Sequence, residues 1–294
     1  MHRRPFFLFA LLLLILGGAG AAQARELRLV TWNIAWLTLK PTGHPDLPRD
    51  VRRRSAADFA RLATYAAQLD ADVVAIQEID GEDAAARVFP PDRWGLYLTR
   101  ERDTQRPGFA VRRGLRVTEH DDLAALDVYA GARHSLRRGA DITVEAEGSR
   151  LRLLSVHLKA GCRDGHLGPP DDACDTLAEQ AGILAGWIAA RQREGGAFAV
   201  MGDFNRRLDA TDAMTRVLTA SAPLTGAMFG RGDPCWSRGG GRGRPFIDHI
   251  LLGGAARGWL RPDSLRVLVY AESDPSARQR LSDHCPAGVT LGLP

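Results

Sequence analysis

Hydrophobic and polar residues alternate along several short stretches of the chain, as expected for half-buried β-strands. Residues 27–33 alternate in this way, while residues 72–78 and 151–158 form apolar runs that predict buried strands. Further strands are predicted at 109–111, 142–144, 197–202, 246–252, 265–270 and 287–291.

Two long helices are predicted from apolar residues at helical spacing. They cover residues 51–69 and 175–193, and Asp175 or Thr176 is expected to cap the second. Strands and helices alternate in places but without a regular repeat. This pattern favours a single layered α/β or α+β domain over a doubly wound parallel sheet.

The first residues have the features of a secretory signal peptide. Arg3 and Arg4 precede an apolar run at 6–16, and Ala22-Gln23-Ala24 fits the A-x-A cleavage pattern. Cleavage after residues 1–24 would leave a single domain at 25–294, either periplasmic or secreted. The alternative is an N-terminal membrane anchor, but the run has only about half of the ~20 residues that a span requires.

The four cysteines are expected to form disulfides, because an even number in an exported chain is typical of them. Proximity favours Cys162–Cys174 among the possible pairings, since the segment between them is loop-like, and Cys235–Cys285 would then be the second bridge. The alternative is a metal site formed by Cys162, His166 and Cys174. That spacing matches no standard zinc pattern.

Net charge gives no argument for a nucleic-acid partner. The formal charge is +4, and the loss of Arg3 and Arg4 with the signal peptide would leave +2. Basic residues do cluster at 52–54, 112–113 and 137–138. Among them, Arg112, Arg113, Arg137 and Arg138 flank predicted strand edges and could contact a phosphate backbone, and Arg138 is chosen as the substrate-binding candidate.

Polar residues repeatedly stand where a predicted apolar strand ends. Loops at strand ends commonly carry functional side chains. If these ends converge, their oxygen ligands suit Mg²⁺, Mn²⁺ or Ca²⁺ rather than a closed zinc site. Each residue alone has an ordinary explanation as a cap or turn residue, so the argument depends on their occurring together. The residues are Asn33, Glu78, His157, Asp203, Asn205, Asp248, His249, Asp283 and His284.

The ordered motifs resemble those of the endonuclease/exonuclease/phosphatase superfamily, and they cover nearly the whole expected mature chain. The resemblance implies a four-layer sandwich, with two mixed β-sheets packed face to face and helices outside. It also implies a metal-dependent hydrolase of phosphoric esters whose site lies at one edge of the sheets. The motifs are TWN at 31–33, QE at 77–78, HL at 157–158, GDFN at 202–205, IDHI at 247–250 and SDH at 282–284.

The resemblance implies a metal side of the site. Asn33 and Glu78 resemble the metal-site pair, with Glu78 the chief ligand, and Asp283 resembles a further metal- or phosphate-site carboxylate. Many abasic-site endonucleases of the family have an acidic residue two positions after the first Asn. This chain has Ala35 there, which argues against a second metal ligand at that position.

The resemblance also implies a proton-transfer side. His284 resembles the general base, with Asp248 holding its imidazole. Asp203 and Asn205 resemble residues that orient the nucleophile and contact the scissile phosphate. His157 resembles the second histidine, which bonds a phosphate oxygen or assists the leaving group, and no acid that could pair with it is evident near 106–111.

Three functions fit these observations. The first is an exported, monomeric nuclease that hydrolyses DNA or RNA. The second is a phospholipid phosphodiesterase or sugar-phosphate phosphatase, for which an exposed apolar docking loop would be expected; Met228, Phe229 and Trp236 are a small signal of that kind. The third is a binding module without catalysis, disfavoured because every chemical position is filled. The basic, glycine-rich loop at 239–244 fits closure over a polyanion or a solvated turn.

Overall fold

The structure is a computed structural model that describes residues 25–132, 135–237 and 243–294. The predicted signal peptide at 1–24 and residues 239–242 of the glycine-rich loop lie outside the described residues.

Two six-stranded sheets form the centre of the fold. The strands are β1 (Glu26–Leu37), β2 (Val73–Ile79), β3 (Trp94–Leu98), β4 (Arg106–Arg112), β5 (Arg116–Glu119), β6 (Ala140–Ala146), β7 (Ser149–His157), β8 (Ala197–Asp203), β9 (Leu224–Gly226), β10 (Gly232–Asp233), β11 (Arg244–Pro245), β12 (Asp248–Gly253), β13 (Arg266–Val267) and β14 (Ala287–Gly292). The strand orders are β13-β14-β1-β2-β4-β3 and β5-β6-β7-β8-β12-β9, and β10 pairs with β11 in a separate ribbon. Both sheets are mixed, since β1–β2 and β7–β8 are parallel pairs among antiparallel ones.

Helices cover the outer faces of the two sheets. They are α1 (Ala56–Gln68), α2 (Glu82–Ala86), α3 (Asp172–Glu194), α4 (Ala213–Thr219) and α5 (Ala277–Arg280). Alternation along each strand divides its apolar residues between two interfaces. On β1, Leu27 and Leu29 face the opposite sheet, whereas Trp32 and Ile34 face α1. A third cluster joins the second sheet to α3 and α4, so the expected four-layer sandwich is confirmed.

Local capping explains where the two long helices begin. The Ser55 side chain accepts from the backbone of Asp58, and Asp58 accepts from the Ser55 backbone, which is a capping box. The helix therefore starts at Ala56, after the predicted residue 51. In α3, Asp171 is the cap, so the prediction of Asp175 or Thr176 is wrong. The sequence pattern placed this cap too late because the first turn is polar.

Both predicted disulfides, Cys162–Cys174 and Cys235–Cys285, are confirmed. The first closes the loop that follows β7, and the second joins the segment before β11 to the segment before β14. The alternative metal site at Cys162, His166 and Cys174 is excluded, because both sulfurs are in the bridge. Among the residues described, none of the helices combines the length and apolarity needed to cross a bilayer.

Candidate active site

The sandwich brings the predicted polar residues to one edge because of strand parity. On β1, Asn33 has the same parity as Leu27 and Leu29 and so points between the sheets. Glu78 does not follow this alternation. Its φ of 64° and the register shift between Ile76 and Ile79 in the pairing with β4 turn the carboxylate toward Asn33. A left-handed, non-glycine residue is strained, and such strain is common at functional sites.

Asn33 connects two carboxylates. Its Nδ2 donates to Glu78 Oε1 at 3.0 Å and to Asp203 Oδ2 at 3.0 Å. Its Oδ1 accepts from the backbone N–H of Ala35 at 2.9 Å, which fixes the orientation of the amide. The second oxygen of Glu78 accepts from the Trp36 backbone N–H at 2.9 Å. The end of β1 therefore holds both members of the predicted metal-site pair in place.

Three strands of the second sheet bring inward-facing residues to the same edge. His157 is paired with Asp203 across β7 and β8, and Asp203 is paired with Asp248 across β8 and β12. All three side chains are buried. His157 Nε2 lies 3.6 Å from Glu78 Oε1 and 3.7 Å from Asp203 Oδ2, so the polar groups of both sheets meet.

His284 completes the cluster from the segment before β14. Its Nδ1 bonds Asp248 Oδ2 at 2.7 Å, and its Nε2 lies 3.8 Å from Asp203 Oδ2. Burial alone lowers the pKa of His284, but the carboxylates of Asp248, Asp203 and Asp283 outweigh burial and hold it well above its usual value. The geometry is that of a base whose tautomer a carboxylate fixes, with Nε2 free to accept a proton.

The backbone around His284 is held on several sides. Tyr270 donates its hydroxyl to the His284 carbonyl at 2.9 Å, and Trp236 donates its indole N–H to the Ser282 carbonyl at 3.0 Å. The Ser282 hydroxyl donates to the Asn33 carbonyl at 2.7 Å and accepts from the His284 N–H at 3.0 Å. The next residue, Cys285, is in a disulfide. The base is therefore held rigidly.

The second histidine is kept neutral. Burial lowers the pKa of His157 well below its usual value, and the positive charges of Arg137 and His284 lower it further. The backbone of Gln105 has the opposite effect and raises this pKa, but less than burial lowers it. Nδ1 of His157 is buried and makes no hydrogen bond of normal geometry with a described residue. A neutral imidazole can donate one hydrogen bond to a phosphate oxygen, but it is a poor proton donor at neutral pH.

Asn205 and His249 follow the predicted pattern. Asn205 lies in the left-handed region with φ of 52°, and its N–H donates to Asp203 Oδ1 at 2.8 Å. His249 points to the other face of β12, where its Nε2 lies 3.1 Å from the Arg206 carbonyl and its ring packs against Phe204. Burial lowers the pKa of His249 to about 4. This histidine takes no part in the cluster.

The two adjacent arginines at 137–138 lie in different surroundings. Arg138 faces Glu101 and Asp122, each at 3.8 Å, and does not line the cavity at the cluster. Its neighbour Arg137 does line that cavity, is buried, and donates to the Leu158 carbonyl at 3.0 Å. Adjacent residues in an extended segment point in opposite directions, and the sequence alone does not show which of the two points inward.

The cluster opens into a cavity of about 1090 Å³ with a mostly charged lining. Five cations line it and have no carboxylate within ion-pair distance among the described residues: Arg102, Arg106, Arg137, Lys159 and Arg163. By contrast, Lys40 is paired with Asp80 at 2.6 Å. Asp283 also lines the cavity. Positive charge without a carboxylate partner therefore lies both at the start of β4 and on the segments before β6 and after β7.

The residues present fit a divalent cation. The carboxylates of Glu78 and Asp203 are brought together by the Asn33 amide, which bonds both. Asp203 also belongs to a group whose ligand atoms all lie within 4.8 Å of one another, and the other two members are the Asp248–His284 pair. Burial raises the pKa of Asp203, which is the cost of placing several carboxylates together away from water. One Asp248 oxygen is buried without a hydrogen-bond partner in the described chain. Hard oxygen donors in this arrangement suit Mg²⁺, Mn²⁺ or Ca²⁺.

Two stacked mixed sheets with a carboxylate–histidine cluster at one edge define a class of α/β sandwich protein. Residues 30–284 match the sequence model of the Endonuclease/Exonuclease/phosphatase family, and the chain belongs to this family. Members of the family are phosphoric-ester hydrolases, and the expectation drawn from the sequence motifs is confirmed at this level. No curated protein sequence shows a significant match to the chain.

Solved structures share the fold at low identity. TDP2 from C. elegans has a TM-score of 0.58 and 16% identity, covering 91% of this chain and 75% of that one. The human Nocturnin catalytic domain with bound sulfate anion has a TM-score of 0.57 and 14% identity, covering 90% and 93%. D. rerio TDP2 complexed with single strand DNA product has a TM-score of 0.56 and 17% identity, covering 90% and 98%. These likenesses show the fold alone.

Proposed function

We propose that residues 25–294 form an exported, divalent-cation-dependent nuclease that hydrolyses phosphodiester bonds, with DNA as the expected substrate. The observation that carries the proposal is one cavity in which three features meet: a carboxylate-held base, the carboxylates of Glu78 and Asp203, and five cations without carboxylate partners among the described residues. Export is supported by the signal-like residues 1–24 and by the bonding of all four cysteines in disulfides.

In the proposed mechanism, a water molecule lies between His284 Nε2 and Asp203. His284 takes its proton, and Asp248 stabilises the imidazolium that forms. The water oxygen bonds to phosphorus as the bond to the leaving oxygen breaks, which yields a phosphomonoester and a hydroxyl that takes its proton from solvent. Glu78, Asp203 and Asp283 would hold the divalent cation, and Asn33 would orient the first two carboxylates through its Nδ2. The cation would neutralise charge on the phosphoryl group.

Substrate oxygens would be met by side chains already in the cavity. Arg137 presents a buried positive charge beside Glu78 and Asp203, and His157 offers a neutral hydrogen-bond donor. Asn205 is positioned by its backbone bond to Asp203. Such groups act mainly by orientation and charge stabilisation, which is what phosphoryl transfer requires.

A nucleic acid fits the surface better than a lipid does. A lipid-cleaving enzyme needs a contiguous apolar docking surface, but among the described residues the exposed large hydrophobic side chains are Tyr129, Val217 and Val269, which lie on separate segments. Met228, one of the docking candidates, is 1% exposed. The cavity volume lies at the upper end for small-molecule sites. The relative solved with single strand DNA product is consistent with this choice.

The test is to incubate purified 25–294 with supercoiled plasmid, RNA and sphingomyelin vesicles, each with Mg²⁺ and with chelator. We expect the plasmid to be cleaved with Mg²⁺ only. Hydrolysis of sphingomyelin without cleavage of either nucleic acid would show the substrate assignment to be wrong.

A pair of adjacent arginines provides a matched control. Arg137→Met should raise KM and lower kcat on plasmid, because it removes a cation from the cavity. Arg138→Met should leave both constants near wild type, because that side chain faces Glu101 and Asp122. Equal effects of the two substitutions in folded protein would contradict the assignment of Arg137.

A further inference from the structure

One buried arginine outside the catalytic cluster bonds two backbone segments of the site at once. Arg54 is 5% exposed and directly precedes Ser55, the cap of α1. Its guanidinium makes five hydrogen bonds, all to backbone carbonyls, and no carboxylate of the described chain lies within ion-pair distance. A buried cation is costly unless it has a defined set of partners, so this arrangement requires an explanation.

Three of these bonds hold the end of β1. Arg54 donates to the carbonyls of Ile34 at 2.9 Å, Ala35 at 2.7 Å and Trp36 at 2.9 Å. Ala35 and Trp36 have φ values of 43° and 52°, an unfavourable left-handed conformation for two consecutive non-glycine residues. This turn presents the Trp36 N–H to Glu78 and the Ala35 N–H to the Asn33 amide. The conformation that Arg54 stabilises is therefore the one that orients the metal side.

The other two bonds hold the segment that leads to the base. Arg54 donates to the carbonyls of Arg280 at 2.8 Å and Leu281 at 2.7 Å. The next residue, Ser282, accepts from the His284 N–H and donates to the Asn33 carbonyl. Displacement of residues 280–281 would therefore move the backbone of His284.

The chemistry of arginine suits this task. A guanidinium has five N–H donors in a rigid, planar arrangement, whereas a lysine ammonium has three. In Arg54, Nε and Nη1 make one bond each and Nη2 makes three, so one Nη2 N–H is shared between two carbonyls. Burial lowers the pKa of Arg54 to about 10, so the side chain stays charged at neutral pH. A lysine ammonium would have at most three N–H groups for the five carbonyls.

We propose that Arg54 is a positioning residue that fixes the metal side and the proton-transfer side of the site relative to each other. This inference rests on the proposed function for the roles of Glu78 and His284. It extends that function by assigning the relative placement of the two halves to a residue that does not line the cavity.

The test compares Arg54→Met and Arg54→Lys with Arg152→Met. Arg152 is also partly buried and pairs with Asp141, but it lies five residues before His157 on β7, roughly 16 Å along the strand. All variants of 25–294 are assayed on plasmid for kcat and KM at a temperature where circular dichroism shows them folded. Mn²⁺ affinity is measured without substrate by electron paramagnetic resonance, and Glu78→Gln is the reference for loss of the metal side.

We expect Arg54→Met to lower kcat by about 10–100-fold, since displacements near 1 Å can have effects of this size, and to weaken Mn²⁺ binding several-fold. Arg54→Lys should lie between this variant and wild type, because it keeps the charge but at most three of the bonds. Arg152→Met should lose stability only, with wild-type kcat and Mn²⁺ affinity in the folded protein.

Wild-type kcat and Mn²⁺ affinity in folded Arg54→Met would overturn the inference. If that variant does not fold, the same result in Arg54→Lys overturns it. If the inference about Arg54 fails in this way, the proposed function is still supported when wild type is active and Glu78→Gln is inactive. If wild type cleaves no phosphodiester, the proposed function fails, and the Mn²⁺ comparison still decides the role of Arg54 on the metal side.

Discussion

The substitution Asp248→Asn isolates the charge that supports the proposed base. Asparagine preserves the shape of the side chain, and its amide oxygen can still accept from Nδ1 of His284, now 2.7 Å from Asp248. What is lost is the negative charge beside the imidazolium. Two unit charges 4 Å apart interact by about 4 kcal/mol at the effective dielectric of 20 typical for proteins. Because ~1.4 kcal/mol corresponds to tenfold in rate, kcat should fall by at least ~10²-fold.

The pH profile of the same variant gives a second readout. His284 must be neutral to accept a proton, so kcat/KM of the wild type should fall as pH drops through the pKa of His284. Asp248 is the foremost of the carboxylates that raise this pKa. Its removal should move the acid limb of the profile to lower pH.

The assay is plasmid cleavage from pH 5 to 9, with circular dichroism to confirm folding. His284→Ala should cost at least a similar factor, and the double variant should cost little more than the worse single one, because the two residues act as a unit. Activity of Asp248→Asn within about threefold of wild type at every pH would refute the reasoning, since a general base typically contributes 10²-fold or more.

Three further predictions concern the disulfides and His249. Mass spectrometry of non-reduced digests should find Cys162–Cys174 and Cys235–Cys285, and Cys235→Ser should reduce activity as well as stability because Cys285 follows the base. His249→Asn should leave kcat near wild type, and its inactivation in folded protein would contradict the assignment of the base. Burial lowers the pKa of folded His249 from 6.5 to about 4, so protonation favours the unfolded chain. Urea denaturation should therefore show the free energy of unfolding falling by up to ~1.4 kcal/mol per pH unit as pH drops from about 6.5 toward 4, and falling less steeply in His249→Asn.

Much of the site could be predicted from the sequence, because polar residues with suitable chemistry occur at inward-facing positions at the ends of apolar strands. Four polar side chains are predicted to point between the sheets, because each lies an even number of positions from apolar residues of its own strand that face the opposite sheet. They are Asn33, His157, Asp203 and Asp248. The periodicity of the strands does not predict how the two sheets pack, and the convergence of these residues depends on that packing. It was predicted from the resemblance of the motifs to those of the family. The orientation of Glu78 could not be predicted in this way. It depends on a left-handed backbone conformation, and no neighbouring residue type in the sequence indicates that conformation.

The buried arginines show where sequence reasoning stops. Arg54 is the last residue of the basic cluster at 52–54. The sequence pattern does not predict that Arg54 is buried while its two neighbours are exposed. The backbone carbonyls that it binds are 18–20 and 226–227 residues away in sequence. Arg112, in another cluster, lies over the ring of Trp94 at 4.2 Å and does not line the cavity. Each arginine's role depends on tertiary contacts rather than on its local pattern.

The central claim is that a divalent cation held beside Glu78 is required for phosphodiester hydrolysis. The most direct measurement is plasmid cleavage as a function of Mg²⁺ concentration after exhaustive EDTA treatment, for wild type, Glu78→Gln and Glu82→Gln. Glu82 is a matched control, because it is an exposed glutamate just beyond the end of β2. The account predicts no cleavage without Mg²⁺, recovery on its addition, a weakened and slower response in Glu78→Gln, and a wild-type response in Glu82→Gln. Full hydrolysis in EDTA, or a wild-type Mg²⁺ response in Glu78→Gln, would contradict it.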